Sequence, residues 1–356
     1  RSAQAFNDQP EPGLPDHHHW LALSSLALEL EQPQAGKALA QAVLAQEPTN
    51  PAALALLARS LVLCNEPSAL QPAWLAWRLE PGLENQRLLV AGLELSQEWS
   101  AALAEQQCLV DSLENPDPST YRKLAVCALQ AGQPETAYTA CQQALALHPQ
   151  DGLALVHMGE IAVSEGKPDQ AIESYTQACR LAPELEQPWL RLAGLQASLE
   201  QPELALETLR QGSCAAPESA WLHLALGQAL LAQEAPSQAL PALKQAFNLA
   251  FTGHSPHPHQ QETIQLRTAT AATLGETQHR LGFLEEARQT FETVCLAPVY
   301  ACHREPQLIY SYAKTLLGLG EFNQALPWLE KITAQVVNYP AYLDQARAIL
   351  ALDPNL

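Results

Sequence analysis

The sequence predicts an all-α protein built as a stack of helix pairs, and three observations carry that prediction. An alanine recurs at 35, 69, 102, 137, 171, 205, 239, 287 and 325, in steps of 33 to 35 residues as far as 239 and of 48 and 38 after it. Prolines keep the same beat in two series, at 48, 81, 116, 149, 183 and 217 and at 33, 67, 134, 168, 202 and 236. The composition is helical: alanine, leucine and glutamine dominate, while aromatics make up only 6% and glycines number 16. Sandwiches, barrels and nucleotide-binding sheets need β-branched runs and glycine turns that this chain lacks.

Residues 1–16, with Pro10, Pro12 and Pro15, read as a loose N-terminal arm. Residues 17–356 follow as a single solenoid, with repeats starting near 17, 50, 84, 118, 152, 186, 220, 268 and 306. Each unit is an apolar-periodic segment, a short break such as Ala131-Gly132-Gln133-Pro134 or Glu165-Gly166-Lys167-Pro168, and a second segment that ends near the next proline. Glycine tolerates the left-handed conformation that stops the first helix. Proline suits the first turn of the second, where its missing N–H is not needed. The recurrent alanine marks a point where two backbones approach too closely for a larger side chain. The third unit departs from the pattern, with Trp99-Ser100 where its neighbours carry the break proline. An insertion over 254–267 interrupts the beat; because Glu262 to Gly282 is helix-compatible, it lengthens the first helix of the eighth unit. A last helix over 341–352 caps the stack.

The clearest unit places Leu155, Met158, Gly159, Ala162, Ala171, Tyr175 and Pro183 at the spacings of W-x2-L-G-x2-Y, A-x3-F and P. In this it resembles the 34-residue tetratricopeptide repeat. The next unit gives Trp189, Leu192, Ala193, Ala205, Leu209 and Pro217, and the preceding one Tyr121, Leu124, Ala125, Ala137, Cys141 and Pro149. The resemblance spans about nine tenths of the chain and implies a right-handed α-solenoid superhelix, whose first helices line a concave face that binds peptides and other proteins.

With 19 basic and 38 acidic side chains the formal charge is −19, the wrong sign for nucleic acid as the main partner. No stretch reaches about 18 uninterrupted apolar residues, so no membrane-spanning helix is expected. The chain opens on Arg1-Ser2, which reads as a processed form or a fragment. None of the eight cysteines forms a CxxC pair, so small core residues are expected rather than a zinc ribbon or redox centre. GxSxG, HExxH, GxGxxG and the P-loop are absent, and the reading is not an enzyme.

Carrying the family's concave positions onto this chain gives Leu88, Arg122, Val126, Val156, His157, Glu160, Leu190, Arg191, Trp221, Leu224, Gln228, Glu276, His279, Arg280, Tyr310 and Lys314. This is a mixed surface, suited to apolar anchors oriented by a few charges. The bland alternative is that half of these only pack against adjacent helices. The lysine and asparagine clamp by which some family members hold a chaperone tail is not found; the chain has six lysines. Two histidine clusters stand out: Asp16, His17, His18 and His19, and His254, His257 and His259 with Glu262. Imidazoles with nearby carboxylates bind Mn, Zn, Ni or Cu, and affinity alone does not choose manganese; adjacent surface histidines can equally be merely polar. Cys302-His303 is a weaker pair.

The architecture, acidity and histidines together resemble the processing-associated repeat proteins of the cyanobacterial periplasm. That resemblance implies binding of the C-terminus of the photosystem II reaction-centre precursor, with manganese held on the histidines and carboxylates, in the periplasm. The alternative is a general cytoplasmic interaction or regulatory module without metal.

Overall fold

The computed structural model describes residues 17–30, 32–252, 261–297, 306–335 and 339–352; the N-terminal arm lies outside them. The described residues are helical throughout and contain no strand. The chain divides into two compact units, Arg1–Leu147 and His148–Leu356.

The first unit holds α1 (His17–Glu29) and α2 (Pro33–Gln46), α3 (Pro51–Leu63) and α4 (Leu70–Leu79), α5 (Leu83–Leu95) and α6 (Trp99–Ser112), and α7 (Pro118–Gln130) and α8 (Pro134–Leu147). A single 3-10 turn, Pro67–Ala69, precedes α4. The second unit holds α9 (Gly152–Ser164) and α10 (Pro168–Leu181), α11 (Glu186–Ser198) and α12 (Pro202–Ala215), α13 (Ala220–Ala232) and α14 (Pro236–Thr252), α15 (Gln261–Arg280) and α16 (Leu284–Cys295), α17 (Pro306–Gly318) and α18 (Phe322–Gln335), and finally α19 (Tyr339–Leu352). Nine helix pairs and a closing helix are thus seen, with α15 lengthened as the insertion predicts. Within the second unit each first helix packs on its own second helix and on the next first helix, so α9, α11, α13, α15, α17 and α19 form a row.

Local chemistry starts and stops these helices. Asn50, Asp117, Asp151 and Ser219 cap α3, α7, α9 and α13, each accepting the backbone N–H three residues on. Gly132 and Gly166 adopt φ of +74° and +72° between paired helices, as predicted. In the breaks without glycine the same left-handed conformation falls to Asn65, Gln97, Glu200 and Glu234, with φ between 56° and 60°. The break is therefore fixed by the fold rather than by glycine.

The recurrent alanines are the pivots of the packing. Ala69, Ala102, Ala137, Ala171, Ala239, Ala287 and Ala325 are 0% exposed. The first unit's register needs correction: Ala35 is only half-buried, and the tight position belongs to Gly36, three residues after Pro33 like Ala171 after Pro168. A Cβ on Gly36 would come within 3.0 Å of Leu28. A complementary device runs the other way, where a bulky side chain of the second helix fills the space over a glycine of the first. Tyr175 lies over Gly159, Leu243 over Gly227 and Phe291 over Gly275. At the C-terminal end Phe291, Tyr312 and Trp328 form an aromatic run, with ring centroids 6.1 and 5.5 Å apart. Cys127, Cys141, Cys179 and Cys295 are buried packing residues, whereas Cys108 and Cys214 are exposed.

Ala171→Leu should cost about 1 to 3 kcal/mol by overpacking, read as a lowered urea midpoint at unchanged slope; an unaltered midpoint would refute the close-approach account. Conversely, Glu200→Gly and Glu234→Gly should each raise stability by roughly 0.5 to 1 kcal/mol, because glycine escapes the left-handed penalty at some cost in unfolded-state entropy.

Candidate functional site

The row of first helices in the second unit is stitched by polar bridges, and most of the expected binding residues sit on them. His157 Nδ1 lies 3.0 Å from Glu160 Oε2 one turn along α9, and Arg191 of α11 reaches the other oxygen, Oε1, at 3.0 Å. The carboxylate is three-quarters covered, at 23% exposure, while the Arg191 side chain is 60% exposed. Burial pushes the Glu160 carboxyl up. The His157 hydrogen bond and charge, joined by Arg191, outweigh it and hold the carboxyl below the ordinary glutamate value. Beneath lies Tyr175, its phenol pushed up to about 12 by burial and then by the Glu160 charge.

Further along, Ser219 at the start of α13 donates to Glu186 of α11 while capping its own helix. His279 Nδ1 of α15 lies 3.1 Å from Thr315 Oγ1 of α17. Burial, then the Lys314 charge, holds His279 below the ordinary histidine value against the pull of Glu276. Tyr310 donates to Asp344 of α19 at 2.9 Å, and Arg347 pairs with the same carboxylate at 3.1 Å. Burial and that hydrogen bond push the Tyr310 phenol up to about 12.

Gln228, Glu276, Arg280 and Lys314 are exposed. Trp221 is half-buried against the Leu224–Leu243 cluster, and Leu190 against the Leu209–Leu222 cluster. Two expected groove positions are core instead: Val156 and Leu224 are 1% and 2% exposed. They follow the concave spacing but are buried, Leu224 in a cluster with Ala239, Leu243 and Ala246 of α14. In the first unit Leu88, Arg122 and Val126 are half-buried, the last two on α7. Beside α7 a polar cavity of about 180 Å³ is lined by Arg87, Glu94, Gln106, Asp117 and Lys123, among others. The sequence reading did not include Arg87, Glu94 or Lys123 among the groove residues. It also missed Thr315 and Asp344, for which the sequence carries no signal, since their roles depend on a neighbouring helix.

Asp16, His254, His257 and His259, and the side chain of His17, lie outside the described residues. His18 and His19 are exposed on consecutive positions of α1, which a helix turns about 100° apart. Glu262 is exposed in the first turn of α15. Among the described residues no group of three or more His, Cys, Asp or Glu side chains is placed to hold an ion. No helix among them is long and apolar enough to cross a membrane.

Residues 128–173 match the sequence model of the tetratricopeptide repeat. No curated relative matches the chain. Among solved structures, a tetratricopeptide repeat protein from Parabacteroides merdae aligns with 15% identity over 70% of this chain and 98% of its own, with a TM-score of 0.51. The Cut9-Hcn1 hetero-tetramer of the APC/C aligns with 19% identity over 94% of this chain, with a TM-score of 0.47; this chain spans 64% of that one's length. The pilF protein of Pseudomonas aeruginosa aligns with 18% identity over 65% of this chain and 95% of its own, with a TM-score of 0.46.

Glu160→Gln should destabilise the protein with a defined pH dependence. A depressed folded-state pKa gives stability that is fully present above the unfolded carboxylate value, about 4.3, and is lost as pH falls through the folded one. Urea titrations of both proteins should therefore diverge at neutral pH and converge in acid; a constant gap would show that Glu160 acts through packing alone.

Proposed function

Since the helix pairs are tetratricopeptide repeats, the fold of interaction scaffolds, we propose that this chain is a non-catalytic scaffold that holds a segment of another polypeptide along the first helices of its second unit. One observation carries the reading. The row combines half-buried polar groups fixed by bridges from helix to helix, as His157 and Glu160 are by Arg191, with exposed side chains such as Gln228, Arg280 and Lys314. Fixed groups cost little to organise at the moment of binding, and the exposed ones remain for the guest. The partner can be identified by capture on immobilised full-length chain followed by mass spectrometry. Arg191→Glu should lose the captured partner, because the new carboxylate faces Glu160; undiminished capture would move the interface elsewhere.

The histidine-rich segments support a second, finer reading: a PratA-like periplasmic assembly factor that takes the C-terminus of the photosystem II reaction-centre precursor and carries manganese. Asp16, His17, His18, His19, His254, His257, His259 and Glu262 would supply imidazole and carboxylate donors, a set that suits several divalent ions. Calorimetry with manganese on tag-free protein should give saturable micromolar binding that disappears when both clusters are replaced. Absence of such binding leaves the metal-free interaction module, in the cytoplasm, as the scaffold's role.

A further inference from the structure

The second helices leave a different kind of surface. Among the described residues of the second unit the first helices pack on one another, whereas no second helix packs in that way on the next. Between α12 and α14 the gap forms a cavity of about 370 Å³ floored by α13. His223, Leu226 and Leu230 supply the floor, spaced three and four residues apart on one stripe of that helix. Trp221 and Gln228, which belong to the row, stand two residues before His223 and Leu230 and so about 200° around the helix. The cavity therefore lies on the opposite side of α13 from the row.

Its lining departs from the chain's own charge balance, in which acidic side chains outnumber basic ones by 38 to 19. No Asp or Glu lines the cavity, yet Arg210 of α12 does. Among the described residues that guanidinium has no partner. The acidic side chain one turn back on α12, Glu207, accepts from Gln211 at 2.9 Å instead. Gln238 and Gln245 line the α14 side and offer amide N–H donors. Internal bonds occupy the other polar groups. The Ser213 hydroxyl donates to the Arg210 carbonyl at 2.9 Å, and His223 Nε2 lies 3.1 Å from the Pro217 carbonyl, which can only accept. The remaining wall is apolar, formed by Leu226, Leu230 and the ring of Pro241.

These features select an anion with a hydrocarbon body. A guanidinium binds a carboxylate bidentately and neutralises its single charge, whereas a phosphate monoester would keep a second charge unmatched. The volume stands near the small end of ligand sites, about 300 to 1,000 Å³, and so admits only a short chain. We propose that the cavity between α12 and α14 is a binding site for a small organic carboxylate, held by Arg210 with its hydrocarbon chain on Leu226, Leu230 and Pro241. This is a second binding function, independent of any polypeptide held along the row.

Titration calorimetry of the full chain with hexanoate, and with hexanamide as its uncharged counterpart, tests the assignment. Hexanoate should bind saturably and hexanamide about tenfold more weakly, the factor expected from losing one charged hydrogen-bonded pair. Arg210→Gln should abolish that preference. Gln245→Glu, which sets a like charge in the cavity, should weaken hexanoate about tenfold, while Arg191→Glu on the row should leave it unchanged. Arg210 and Gln245 are both exposed, so the far-ultraviolet circular dichroism of their variants should match that of the parent. No saturable hexanoate binding at millimolar concentration, equal affinity for acid and amide, or a preference that survives Arg210→Gln overturns the proposal. Inorganic phosphate binding as tightly as hexanoate overturns it too, since the hydrocarbon wall would then play no part.

Discussion

Everything in this molecule hangs on how closely the two helices of each pair approach. A residue without a bulky side chain must stand where their backbones meet, and Ala137, Ala171 and Ala239 are wholly buried there. The reverse contact, with Tyr175, Leu243 and Phe291 seated over Gly159, Gly227 and Gly275, locks the same interface from the other side. Interiors packed to crystal density leave no slack at such points. Each pair therefore repeats the same geometry, and constant geometry demands near-constant length. The 34-residue beat in the sequence follows from this contact.

From that constraint comes the surface where binding is placed. Equal pairs stack so that each first helix meets the next, and side chains one helix apart come within hydrogen-bonding range: Glu160 with Arg191, Glu186 with Ser219, His279 with Thr315, Tyr310 with Asp344. Only the Glu160–Arg191 bridge is an ion pair, and with Arg191 60% exposed it adds little to stability, about 0 to 1 kcal/mol. The value of the bridges is orientation. Each bridge removes rotamer freedom that a guest would otherwise have to freeze, at about 0.5 to 1.5 kcal/mol per side chain.

The pairing of helices was legible because spacing is a one-dimensional signal, and so were the extension of α15 and the closing helix. Where the sequence misled, a local rule met a three-dimensional override. Ala35 keeps the alanine beat, yet Gly36 occupies the pivot, since a glycine meets the demand for a small residue as well as alanine does. Glycine marks breaks reliably, but Asn65, Gln97, Glu200 and Glu234 show the turn forming without it, and at Gln97 without a proline as well. At the site, His157, Glu160 and Arg191 were visible as residues while their mutual bonding was not. Spacing places a side chain on a face of its own helix but does not tell which neighbour it reaches, and so Val156 and Leu224, which belong to the core, were read as groove. Thr315 and Asp344 were invisible for the same reason.

The overall charge says less about the guest than these few groups do. A formal charge of −19 repels an anionic partner at long range, but at physiological ionic strength that field is screened over about 8 Å, close to the interaxial distance of 8 to 10 Å between packed helices. Within such a distance the row offers Arg191 beside a satisfied Glu160, and Lys314 beside Glu276 and a neutral His279. Neither sign prevails at either place. A guest chosen by charge alone would gain little along this row. Because stability in a repeat stack is a sum of neighbouring interfaces, an exposed side chain of this row can be replaced at less cost than a buried pivot.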